Sequence, residues 1–207
     1  MGVVRNILEK HPELLKKVGI AVLPSVNTDE REKMVCGTPW YIRRNTNGVD
    51  LNRNFDVNWE EVSTMYNVRS DDPRATSYRG GCPASEPETQ AVMQFLELIK
   101  PQVCLCVHSM SSIPGDILLC SRIAEGDAEY LEQAETTARV YKEGYRRELN
   151  WLVKTPMVYG ITQGSLPAYA YSRGVVCFDL EHANEIENNP FDDVFCLMKD
   201  MMEEGGA

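Results

Sequence analysis

The chain has 207 residues, 43% of them hydrophobic, which is enough for one domain with a sizeable core. Its formal net charge of −10 and pI of about 4.9 disfavour nucleic acid or an anionic membrane as a partner. No apolar run approaches the roughly 18 residues of a membrane span, and Met1 opens no signal peptide, so a cytoplasmic location is expected.

In chain order, Val3 to Val18 reads as a helix with apolar positions at Val4, Ile7, Leu8, Leu14 and Leu15, perturbed in its middle by Pro12. Gly19 caps it, and Ile20 to Leu23 reads as a buried strand ended by Pro24. Residues 28–82 are polar and rich in Gly, Asn, Asp and Arg, an irregular excursion of the kind that carries function. Ser85 with Glu88 matches a capping box and Pro87 suits a first turn, so a helix is expected from Ser85 to about Lys100, stopped by Pro101. Val103 to Val107 is a continuous apolar run, expected as a strand buried on both faces. Gly126 to Asn150 reads as a charged helix, Val175 to Leu180 as a last apolar strand, and a final helix starts near Pro190. Strands that alternate with helices and read as unbroken apolar runs imply an α/β sheet covered on both faces. Seven cysteines without a CxxC pair, three of them (Cys104, Cys106 and Cys177) in strand-like runs, read as buried free thiols.

Ligand sites in such sheets lie beyond the carboxyl ends of the strands. His108 and Ser109 directly follow VCLCV, and Glu181 and His182 follow VVCFDL. The excursion after the first strand holds GVDLNRNFDVNW, Gly48 to Trp59, with Asn52 and Arg53 adjacent and Arg43 and Arg44 upstream. Arg offers a planar fork of donors suited to a carboxylate, and Asn adds a neutral donor and acceptor. The dyad therefore suits an anionic ligand group, although an Arg here could equally pair with one of the many acidic residues. His108 could also be a hydrogen-bonded structural residue, and Glu181 a salt-bridge partner or the start of a helix.

GVDLNRNF, YRGGCPASEPET from Tyr78 to Thr89, VHS from Val107 to Ser109, and Tyr159 with Gly164-Ser165 occur in an order that resembles the zinc carboxypeptidase family over nearly the whole chain. That family includes pancreatic-type carboxypeptidases and bacterial relatives that trim peptidoglycan peptides. The resemblance implies a three-layer α/β/α sandwich around a mixed, mostly parallel, eight-stranded sheet, formed by residues 1–207 as a single domain. It implies zinc as cofactor and a peptide with a free C-terminal carboxylate as partner. By the same resemblance His108 is a zinc ligand and Arg43 stabilises the oxyanion of the scissile carbonyl. Asn52 and Arg53 clamp the terminal carboxylate, Tyr159 closes over substrate, and Ser109 lies in the substrate site. The general base is Glu181 or Asp179, with the count from Gly164 favouring Glu181. Asp179, two residues earlier on the same strand, faces the same side. It either selects a cationic or diaminopimelate-type terminal residue or pairs with a nearby Arg.

The family's other two zinc ligands come from an upstream HxxE. By analogy that motif falls before Met1, and His11-Pro12-Glu13 has the wrong spacing for it. The chain is accordingly expected to be N-terminally incomplete and to lack early strands, with an open sheet edge through which it could pair with a second copy. The alternative is a non-catalytic relative that keeps the carboxylate clamp as a peptide-binding module.

Overall fold

The structure, a computed structural model, describes residues 2–36, 42–61, 70–108, 117–144, 158–159 and 163–181. Four strands form one mixed sheet: β1 (Val103–His108), β2 (Ile117–Cys120), β3 (Val158–Tyr159) and β4 (Val176–Glu181), in the order β1-β4-β2-β3. β1 and β4 pair in parallel, β2 and β3 pair in parallel, and β2 runs antiparallel to β4. β4 is interior to this order, and Val176 to Leu180 are buried throughout, which is why VCFDL is apolar at every position but Asp179.

Alternate residues of β4 serve different layers. Val176, Phe178 and Leu180 pack with Leu118 and Cys120 against Tyr130, Ala134, Ala138 and Tyr141 of α4 (Ala128–Gly144). Those four helix positions, three or four apart, make one apolar stripe, and the two alanines let helix and sheet approach closely. Burying a side chain such as Phe178 contributes about 1.5–3 kcal/mol. On the opposite face Cys177 packs with Val92 and Leu96 of α3 (Pro87–Ile99), Leu166, Tyr169 and Ala170 of α5 (Leu166–Tyr171), and Phe55 from the excursion. The chain is thus α/β, with a mixed sheet covered by helices on both faces.

Several local expectations are corrected. The first helix, α1 (Gly2–Lys10), ends before Pro12, and Leu14–Lys16 form a separate 3-10 turn. The expected strand at 20–23 has no regular structure, and Val22 and Leu23 are exposed. A strand exists only through a partner, and the described sheet has no member from this region. The excursion contains a helix, α2 (Thr28–Val35). The N-cap of α3 is Glu86 rather than Ser85; the Ser85 hydroxyl donates to Glu86 Oε1 instead of capping the helix. β1 is only half-buried, with Val107 59% exposed, because it terminates the described sheet order. α4 is described as far as Gly144, and the final helix expected from Pro190 lies outside the described residues. The described cysteines are all free, with Cys177 buried and Cys104 and Cys106 half-buried.

Candidate functional site

The ladder between β1 and β4 sets Cys106 beside Asp179 and His108 beside Glu181, so these four residues share one face at the carboxyl ends of two parallel strands. His108 Nε2 lies 3.2 Å from Asp179 Oδ1 and 3.2 Å from Cys106 Sγ. Asp179, 6% exposed, uses its second oxygen to accept from Asn52 Nδ2 at 2.9 Å. Asn52 Oδ1 in turn accepts from the backbone N–H of Leu166 at the start of α5. One side chain therefore ties the excursion to β4 and to α5.

The excursion is held in this position by its own polar groups. Asp50 accepts from the backbone N–H of Asn52 and caps the 3-10 turn Leu51–Arg53, while its other oxygen pairs with Arg43 through Nε at 2.8 Å and Nη2 at 2.7 Å. Asn54 is fully buried: its amide nitrogen faces the carbonyls of Arg79 and Cys82 and the Ser85 hydroxyl, and its oxygen accepts from the Glu86 N–H. Gly164, at φ +56, packs directly on this segment; its carbonyl accepts from Phe55 N–H and its own N–H donates to Val57 O. A Cβ at Gly164 would stand 2.1 Å from the Arg53 carbonyl oxygen, so only glycine permits the approach.

Electrostatics follow from this packing. Burial alone would lower the His108 pKa, but hydrogen bonds to Asp179 and Cys106 outweigh it and push it up to about 11. Burial pushes the Cys106 thiol up to about 11, opposed by its hydrogen bond to His108 and reinforced by the Asp179 charge. Sulfur, imidazole nitrogen and carboxylate oxygen here lie within 4.8 Å of one another. Such donors suit zinc, so the residues present fit that ion.

A family description, Zinc carboxypeptidase, matches residues 4–187. The chain belongs to the zinc carboxypeptidase family. Murein peptide amidase A of Escherichia coli (strain K12) is 43% identical over 70 residues, which cover 32% of this chain and 29% of that protein. Carboxypeptidase B of Bos taurus is 27% identical over 183 residues, 79% of this chain and 40% of that protein. The chain thus spans less than half the length of these two relatives. Bovine thrombin-activatable fibrinolysis inhibitor, solved in complex with tick carboxypeptidase inhibitor, shares the fold at a TM-score of 0.63 and 19% identity, over 97% of this chain and 75% of that chain.

Within a zinc carboxypeptidase fold, the residues expected to act are placed as follows. His108, Asp179, Glu181 and Asn52 come together at the strand ends. Arg53 follows Asn52 and donates from Nη1 to the Asn52 carbonyl, and Arg43 is anchored by Asp50. Tyr159 lies on β3, in register with Cys120. Ser109 and His182 lie outside the described residues. The Asn52 side chain donates to Asp179 and accepts from the Leu166 N–H. Among the described residues Asp179 bonds to His108 and Asn52 rather than to an Arg. Cys106 was missed, although the alternation that aligns Asp179 with Glu181 also aligns Cys106 with His108. Asn54 was read only as part of the motif, because a buried amide that organises a loop leaves no signature in one sequence.

Proposed function

We propose that this chain forms part of a zinc-dependent carboxypeptidase that hydrolyses the bond preceding a free C-terminal residue. The observation that carries the reading is the register of His108 with Glu181, beside an Asp179 tethered to the Asn52-Arg53 segment. His108 would help hold the zinc, whose chemistry when bound is to polarise a carbonyl and acidify a water. Glu181 takes the proton from the attacking water and returns it to the leaving amine. The choice of Glu181 over Asp179 is supported by their side chains: the Asp179 carboxylate is held by His108 and Asn52, whereas the Glu181 carboxylate makes no hydrogen bond with another described residue.

Arg43, held by Asp50, supplies fixed positive charge where the carbonyl oxygen becomes negative. Arg53 receives the terminal carboxylate and Asn52 positions that segment. Ser109 and Tyr159 are assigned to substrate contact and closure by family resemblance. The terminal residue is cationic or of diaminopimelate type; the similarity to murein peptide amidase A supports a murein peptide as the natural class. Incubating the protein with peptides ending in Lys, diaminopimelate or Phe, each as free acid and as C-terminal amide, tests this. Release of the terminal Lys or diaminopimelate from free acids alone is expected. Equal cleavage of the amides would sink the exopeptidase reading, and preference for Phe would sink the cationic specificity.

A further inference from the structure

We propose that Asp179, aimed by Asn52, is a positioning residue that keeps a proton on Nε2 of His108 and so leaves Nδ1 as the nitrogen available to zinc. This role rests on the reading of His108 as a zinc-facing residue and adds the group that holds its ring. The hydrogen bonds behind His108 have one possible polarity. The backbone N–H of Leu166, at the start of α5, can only donate, so the Asn52 atom 2.8 Å from it is the amide oxygen. The other end of that amide is then the NH2 group, which donates to Asp179 Oδ2 at 2.9 Å. Asp179 is left with Oδ1, 3.2 Å from His108 Nε2.

Imidazole is ordinarily a stronger base than a carboxylate, with pKa values of about 6.5 and 3.9, so the proton between them belongs to Nε2. A ring whose Nε2 carries that proton can offer a lone pair only at Nδ1, and the partner of one nitrogen thereby selects the other for a metal. Cys106 Sγ also lies 3.2 Å from Nε2 and is the competing partner. A thiol is a weak hydrogen-bonding group, whereas a carboxylate makes a charge-assisted bond, so Asp179 holds the proton. Asp179 is 6% exposed while the His108 side chain is 30% exposed, so this bond is the sheltered attachment of a ring that also meets solvent. Asn52 thereby links the segment that carries Arg53 to the orientation of His108.

Proton–nitrogen NMR of the metal-free full chain, labelled with nitrogen-15 in histidine, tests this role. The chain has three histidines, His11, His108 and His182, and His108→Gln assigns the signal of interest by its loss. A His108 Nε2 proton far downfield and in slow exchange with water is expected. Asp179→Ala should lose that signal to fast exchange, and Cys106→Ala should leave it in place. Asn52→Leu should move it upfield and speed its exchange by about tenfold, the effect of one lost hydrogen bond to a charged group. The unmodified protein can overturn the proposal without any variant, through a protected proton on Nδ1 instead of Nε2 or no protected ring proton at all. Survival of the signal in a folded Asp179→Ala chain, or its loss in a folded Cys106→Ala chain, overturns it as well. Release of terminal residues by a chain whose His108 proton ignores Asp179 would sink the positioning role and leave the carboxypeptidase reading standing. A proton held as expected in a chain that releases no terminal residue from any peptide would do the reverse.

Discussion

Asn52 shows how the contacts that hold a candidate binding residue lie beyond what one sequence reveals. Its adjacency to Arg53 suggested a shared grip on an anion, and in the structure its amide also reaches Asp179 and the N–H of Leu166. A short polar side chain at the sheet end finds nearby backbone before it finds ligand, and one sequence cannot show which. Asp179 and Glu181 compete as base because both share a face, and only the count from Gly164 favoured Glu181 in the sequence; in the structure the Asp179 carboxylate is the one held by His108 and Asn52. With Glu181 as base, Glu181→Gln should reduce kcat by about 10²–10⁴-fold with little change in ligand affinity. Arg53→Ala should instead raise KM by about 10–100-fold, the loss of one charge-assisted carboxylate contact. Steady-state kinetics on one free-acid peptide checks both, and near-normal turnover in Glu181→Gln would remove it from the mechanism.

At the scale of elements, the strands were legible where burial is two-sided and misread where pairing decides. VCFDL was found because an interior strand is apolar at every position but the one that serves the site, Asp179, whereas Ile20 to Leu23 is wholly apolar yet has no described partner. Pro12 was credited with perturbing a helix that it ends, since a proline removes an N–H and crowds the preceding turn. The approach of Gly164 to Arg53 was invisible in sequence, because it joins segments more than a hundred residues apart. Gly164→Ala combines a left-handed φ of +56 with a Cβ only 2.1 Å from a carbonyl oxygen, and backbone cannot swing away as a side chain does. Loss of about 2 kcal/mol or more is expected from the urea midpoint, with the damage reaching the Asn52-Arg53 segment. A midpoint unchanged from the parent protein would show that the excursion is not packed on α5 in this way.

At the scale of the molecule, the α/β class was readable because helices and apolar strands alternate along the chain, but the assembly of the polar excursion onto the core was not. That assembly is made by Glu86: Asn45 and Asn47 donate to its carboxylate from one side and Ser85 from another. Burial pushes the Glu86 pKa up, but those hydrogen bonds outweigh it and hold the carboxyl below its ordinary 4.5. A depressed carboxylate contributes stability above the unfolded-state pKa and surrenders it as pH falls through the lower folded-state value. Stability measured by urea unfolding should therefore decline as pH drops below about 4.5, and Glu86→Gln, less stable at neutral pH, should show a flatter acid decline. An identical acid profile in the variant would exclude Glu86 as a source of that loss.

The parallel pairing of β1 with β4 has a consequence for how this chemistry can change. Because His108 and Glu181 are ladder neighbours, their backbones stand one interstrand spacing, about 4.8 Å, apart, maintained by main-chain hydrogen bonds. The sequence that follows each strand carries no part of that backbone spacing. Insertions or exchanges beyond residues 108 and 181 would leave that backbone spacing unchanged, so in a carboxypeptidase built this way peptide selectivity could change without moving the Cα atoms of His108 and Glu181.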